Sequence, residues 1–134
     1  MIVVLDTNVL VAGLLKPFGP SAAVLRLAVA GRIRLAHDYR ILAEYRDVLS
    51  RPDFGFPSSA IEALLTQLAE DGVAVNPAPT VDRLPDPSDA PFWEAALASG
   101  AAALITGNKR HFPRPSGPMS ILSPAEFLGA FGEK

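Results

Sequence analysis

The chain has 134 residues, with 12 Lys+Arg against 14 Asp+Glu, and 49% hydrophobic residues, a globular composition long enough for one substantial core. Having no cysteine, it excludes a disulfide framework, a thiolate nucleophile and cysteine-ligated zinc or iron–sulfur, and two histidines (His37 and His111) are too few for an all-histidine metal site. A net charge of −2 gives no overall attraction to nucleic acid or to an anionic membrane.

Short β-type runs alternate with amphipathic stretches along the chain. Ile2–Leu5 is a continuous aliphatic run, as expected of a strand buried on both faces. A helix is expected over Thr7–Leu15, broken by Lys16-Pro-Phe-Gly-Pro20, and another from Ser21 to about Ala30, stopped at Gly31. Ile33–Ala36 reads as a second strand. Asp38 can cap a helix running to about Ser50, with Ile41, Tyr45, Val48 and Leu49 on one face. Ser58 and Ser59 open a helix closed at Gly72, and Val73–Val75 is a short third strand.

The proline-rich stretch Asn76–Pro91 reads as an ordered loop leading into a helix that ends at Gly100, with Pro91 in its first turn. Ala103–Thr106 is a fourth strand and Ser120–Leu122 a fifth. Ser123-Pro-Ala-Glu126 has the pattern of a capping box that starts a terminal helix through Phe131. Such alternation implies an α/β fold whose parallel sheet is covered on both faces, with ligands beyond the carboxyl ends of the strands where strand order reverses. No run reaches the roughly 18 apolar residues of a membrane span, and Asp6, Thr7 and Asn8 interrupt the apolar N-terminus, so no membrane association is expected and the cytoplasm is the default location.

The polar residues of interest lie at strand ends and helix starts. Asp6 directly follows the first strand, where it can project into the ligand crevice, cap the next helix, or do both. At about 100° per residue, Glu44 sits about 80° from the middle of its helix's apolar stripe, at its edge. It can reach over the sheet or pair with Arg40 one turn earlier. Asp86 and Asp89 both stand at the mouth of the helix that follows the proline-rich loop. Capping explains one of them, whereas two crowded carboxylates repel unless a cation or a proton compensates. Thr106-Gly-Asn-Lys-Arg-His-Phe112 is either a solvated loop or a turn suited to a phosphate-bearing ligand. Several carboxylates with few histidines describe an oxygen-ligand site for Mg²⁺ or Mn²⁺ acting on a phosphate ester.

These motifs, in this order, resemble the PIN-domain family. The resemblance rests on Val3-Val-Leu-Asp-Thr-Asn-Val-Leu10, on Glu44-Tyr-Arg-Asp-Val-Leu49, on Asp89 with Ala95, Ala96, Gly100 and Ala101, and on Thr106-Gly-Asn-Lys-Arg-His-Phe112. It spans Met1 to about Leu128 and implies a single domain over residues 1–134, a three-layer α/β/α sandwich with a central parallel sheet of four to five strands. The likeness is greatest to the toxin components of bacterial type II toxin–antitoxin systems, of the VapC kind.

The resemblance implies a Mg²⁺- or Mn²⁺-dependent endoribonuclease. Asp6, Glu44 and Asp89, with Asp86 as a further ligand, would hold one or two ions, and Asn8, Thr106 and Asn108 would orient carboxylates or water. Arg40, Lys109 and Arg110 would position the RNA backbone. A small antitoxin and a second copy of the chain are the implied partners. The family often has a fourth acid where this chain has Asn108, which leaves a catalytically weakened RNA-binding or scaffold module as the alternative. A haloacid-dehalogenase-like phosphatase fits less well, because position 8 is Asn where its pattern needs Asp, and Lys109 follows the late acidic pair instead of preceding it. Setting the four acids aside leaves 10 acidic against 12 basic residues, so the mild acidity reads as an empty cation site.

Overall fold

The computed structural model describes residues 1–115 and 117–131. Five strands, β1 (Ile2–Leu5), β2 (Arg34–His37), β3 (Val73–Ala74), β4 (Ala103–Ile105) and β5 (Ser120–Leu122), form one all-parallel sheet in the order β3-β2-β1-β4-β5. Among the described residues six helices cover it: α1 (Thr7–Leu15), α2 (Pro20–Val29), α3 (Tyr39–Leu49), α4 (Ser58–Asp71), α5 (Ala90–Ser99) and α6 (Pro124–Phe131). The result is the expected α/β/α sandwich. Single-turn 3₁₀ segments at Pro52–Phe54, Pro87–Asp89 and Lys109–His111, not anticipated from periodicity, lie in three of the loops.

The central strand is the aliphatic run: Val3, Val4 and Leu5 are wholly buried because β1 has neighbours on both sides and helices on both faces. Chain order reverses at β1. The chain builds outward through β2 and β3, then crosses back to place β4 and β5 on the other side. The crevice therefore opens between β1 and β4, at their carboxyl ends. The β1–β4 register pairs Leu5 with Ile105, and the Asp6 N–H donates to the Ile105 carbonyl at 3.0 Å, so Asp6 and Thr106 emerge side by side.

Local signals set most boundaries. Asp38 caps α3 by accepting the Ile41 N–H at 3.0 Å. Gly100 ends α5 in the left-handed region at φ 65°, a conformation without steric cost only for glycine. Ser123 and Glu126 exchange reciprocal bonds of 2.8 and 3.1 Å at the start of α6, completing the capping box. The second strand begins and ends one residue later than the hydrophobic run suggested, since β2 takes its limits from pairing with β1 and β3. No single helix among the described residues is long and apolar enough to cross a membrane.

One glycine is required by close packing. At Gly72, between α4 and β3, a Cβ would lie 2.4 Å from the Leu35 carbonyl oxygen and 2.7 Å from that of Leu68, both backbone atoms. Gly72→Ala must shift β2 or the end of α4, and we expect it to lower stability by about 1–3 kcal/mol. Urea unfolding checks this, and a midpoint equal to the parent's would contradict the packing described.

Candidate active site

Asp6 stands at the N-cap position of α1 yet makes no side-chain cap hydrogen bond. Its Oδ2 instead accepts the Thr106 hydroxyl at 2.7 Å, and that hydroxyl oxygen accepts the Asn108 backbone N–H at 3.0 Å. Thr106 is wholly buried and Asp6 nearly so. Burial pushes the Asp6 carboxyl above its ordinary value, against the Thr106 hydrogen bond, which favours the charged form. Of its two sequence readings, the crevice-facing one describes where this carboxylate points. Asn8 reaches the same turn, its Oδ1 accepting the Gly107 N–H at 3.4 Å.

Glu44 is brought to Asp6 by the helix that carries it. The buried stripe Ile41, Tyr45 and Leu49 seats α3 against the core, and the Tyr45 hydroxyl donates to the Leu5 carbonyl at 2.5 Å. That bond ties α3 to the last residue of β1. Tyr45 holds its proton more tightly than usual, through burial first and then the nearby charges of Asp6 and Glu44. Glu44 accepts the hydroxyl of Thr7, a buried residue in the first turn of α1. Sequence reasoning passed over Thr7, although its place beside Asp6 was the available signal.

Asp86 and Asp89 take different parts. Asp86 caps the 3₁₀ turn, its Oδ1 accepting the Ser88 N–H at 3.0 Å and the Ser88 hydroxyl at 2.8 Å, which holds its carboxyl below the ordinary value. Asp89 starts α5 without a side-chain cap bond, and its Oδ2 is buried with no hydrogen-bond partner. His111 Nδ1 is 3.3 Å from that oxygen, a contact that sequence alone left unassigned. Burial, then the charges of Asp6 and Asp86 and the weaker effect of Glu44, push the Asp89 carboxyl up to about 6, with His111 opposing. Each of the other three acids is thus close enough for its charge to reach Asp89.

The four acids expected as metal ligands lie around the carboxyl ends of the central strands, each with its own hydrogen-bond or ion-pair partners. Among the described residues no three Asp, Glu or His side chains converge as a metal site. Hydroxyls of Thr106, Thr7 and Ser88 donate to the Asp6, Glu44 and Asp86 carboxylates, and burial and then the charges of these three acids raise the Asp89 carboxyl. The donor chemistry nonetheless fits a hard divalent cation. It is all carboxylate and hydroxyl oxygen, with one buried carboxylate oxygen unpartnered and two carboxyls raised by burial.

The expected RNA-positioning cations are also differently placed. Arg40 does not pair with Glu44. It bridges Asp38 and Glu94 at 2.7 Å each, and Glu94 in turn accepts the Thr80 N–H at 2.7 Å. Glu94, buried in an apolar helix, was missed because its partner lies 54 residues away. Arg34, Arg46 and Arg51 are likewise engaged within the protein, with backbone carbonyls near Gly72, with Glu62 and with Asp47. Lys109 pairs with Glu126 at 2.9 Å, whereas Arg110 is exposed and makes no ion pair among the described residues.

Because the folded protein holds the Asp89 proton more tightly than the unfolded chain does, ionising this residue costs stability. The cost grows as the pH rises from about 4 through about 6 and is complete above that. Asp89→Asn, which cannot ionise, is therefore expected to be more stable than the parent at pH 7 by about 1–2 kcal/mol, after discounting for partial solvation. The gap should close below pH 4. Urea titrations across pH check this, and a gap that is widest at low pH would reverse the sign argued here.

A family model described as PIN domain matches residues 2–110, from the first residue of β1 into the strand-end segment after β4. No curated protein and no solved structure is significantly similar to the chain. The matched span contains Asp6, Glu44, Asp86, Asp89 and Thr106, and its extent displaces the phosphatase alternative. On the family match, together with the all-parallel sheet, the chain belongs to the PIN-domain family, a nuclease fold.

Proposed function

We propose that this protein is a Mg²⁺- or Mn²⁺-dependent endoribonuclease, the toxin of a toxin–antitoxin pair acting in the cytoplasm. The observation that supports the reading is the Asp89 carboxyl: its Oδ2 is buried without a hydrogen bond, faces His111 Nδ1 at 3.3 Å, and feels the charges of Asp6, Asp86 and Glu44. A cation would stabilise a buried carboxylate set among like charges. Asp6, Glu44 and Asp89 would hold one or two ions, with Asp86 at the margin. When bound, a divalent ion supplies Lewis-acid polarisation of a phosphodiester and a water acidic enough to attack it.

The chain's own residues prepare that chemistry. Thr106 fixes the Asp6 carboxylate and is itself fixed by the Asn108 N–H, while Thr7 does the same for Glu44. Asn8 tethers the turn that follows β4 through Gly107. Arg110, exposed and without an ion pair among the described residues, would meet a phosphate, and Lys109 would join it by giving up an exposed pair with Glu126, which costs little. Arg40 contributes by bracing the loop at Thr80 and α5, which begins one residue after Asp89, and not by touching RNA. A small antitoxin and a second copy of the chain are the proposed protein partners, and both follow from the toxin reading.

Asn108 favours a second reading, an RNA-binding module with weakened chemistry. Here an amide stands where the family pattern often has an acid, and only its backbone N–H is engaged with the cluster. Cleavage assays separate the two. With Mn²⁺ the parent should cut single-stranded RNA and stop on addition of EDTA. Asp6→Asn and Asp89→Asn should each cut at least about 100-fold more slowly. Mn²⁺ should also raise the parent's melting temperature, since binding relieves carboxylate repulsion. Undiminished cleavage by either variant would overturn the ligand assignment, whereas metal-independent RNA affinity without cleavage would establish the second reading.

A further inference from the structure

Beside the carboxylates lies a groove of about 490 Å³. One end is formed by Asp6, Thr7 and Asn8, the walls by Val11 and Leu15 of α1, Val48 of α3 and Phe54 of the following 3₁₀ turn, and the far end by Lys16. The walls are mostly apolar and open, and Leu15 is 47% exposed. Phe54 is braced from outside the groove by Phe56, the rings stacked at 5.7 Å and 22°. Its aromatic surface is therefore held in place before any ligand arrives. Lys16 makes no ion pair among the described residues and stands about 15 Å along α1 from Asp6.

We propose that this groove takes one unpaired nucleobase of the RNA strand, adjacent to the phosphodiester held at the carboxylates. This rests on the nuclease reading above and extends it to the form of the substrate. The charge pattern argues for a nucleic-acid strand over an apolar peptide. A strand presents phosphate, base, phosphate in succession, and the groove presents a cation-binding carboxylate end, an apolar aromatic wall and a lysine. A base paired in a duplex is stacked and cannot enter, so the groove selects single strands, loops or bulges. A second cavity of similar size, at the carboxyl ends of β2 and β3, is lined by Asp38, Tyr39 and Arg40 and includes none of the four acids. Its charged residues already pair with each other or with Glu94, and it lacks that sequence of features.

The test is a cycle of kcat/KM values with Mn²⁺. It crosses the parent and Phe54→Leu with an intact single-stranded RNA and with strands made abasic at each position flanking the cut. Phe54→Leu keeps the groove apolar while removing the aromatic face. In the parent, one abasic position should slow cleavage about 5- to 100-fold, and Phe54→Leu should slow the intact strand by a comparable factor. In the variant that abasic position should cost little more, because the same contact is already lost. A general folding defect would instead slow every strand equally. Lys16→Ala should weaken all strands alike and lower the salt dependence by about one phosphate contact. If the parent cleaves but the abasic penalty is the same in parent and Phe54→Leu, the base site is overturned while the nuclease reading stands, and a protein segment becomes the groove's occupant. A parent that does not cleave overturns both.

Discussion

The register between β1 and β4 is the constraint on which the rest of this site depends. Leu5 pairs with Ile105, so the next residues, Asp6 and Thr106, leave the sheet together and the threonine hydroxyl closes on the carboxylate. A slip of β4 by one residue against β1 would turn the Thr106 side chain to the face opposite Asp6 and leave a buried hydroxyl and a buried carboxylate apart. The buried aliphatic faces of both strands make such a slip costly, so hydrophobic packing enforces a polar contact. The chemistry at the edge is positioned by the core beneath it.

From that pair the remaining acids are recruited by separate devices. The Tyr45 hydroxyl bonds the Leu5 carbonyl, which docks α3 and with it Glu44. The 3₁₀ turn capped by Asp86 delivers Asp89 at the head of α5. Arg40 then bridges Asp38 at the start of α3 to Glu94 on α5, holding two acid-bearing helices at one spacing. The outcome is a concentration of acidic side chains in which three carboxylates accept hydrogen bonds from hydroxyls and burial raises the Asp6 and Asp89 carboxyls. Like charges at this spacing raise the cost of ionising Asp89.

Much of this was legible in the order of residues. The strand runs, the capping residues at Asp38 and Ser123, and the helix stops at Gly72 and Gly100 act over a few positions, so their physics is complete within a short window. The sequence also marked Asp86 and Asp89 as two acids at one helix mouth where capping explains only one, and in the structure Asp86 caps a turn while the Asp89 side chain makes no cap bond.

What the residues alone could not decide was pairing at long range. Arg40 looked equally ready for Glu44 or for RNA, yet its partner Glu94 is 54 positions away, and only the packing of α3 against α5 joins them. Lys109 and Glu126 meet across 17 positions for the same reason. Whether four acids converge on a point or stand off from one another also depends on which hydroxyls lie nearest, and Thr7 and Thr106 are brought there by helix and strand placement. By itself, then, the sequence determined the elements and the fold class, because propensity, periodicity and capping are local. The tertiary structure alone decided which charges are spent holding the protein together and which remain for a ligand, because electrostatic and hydrogen-bond partners are chosen by distance in space.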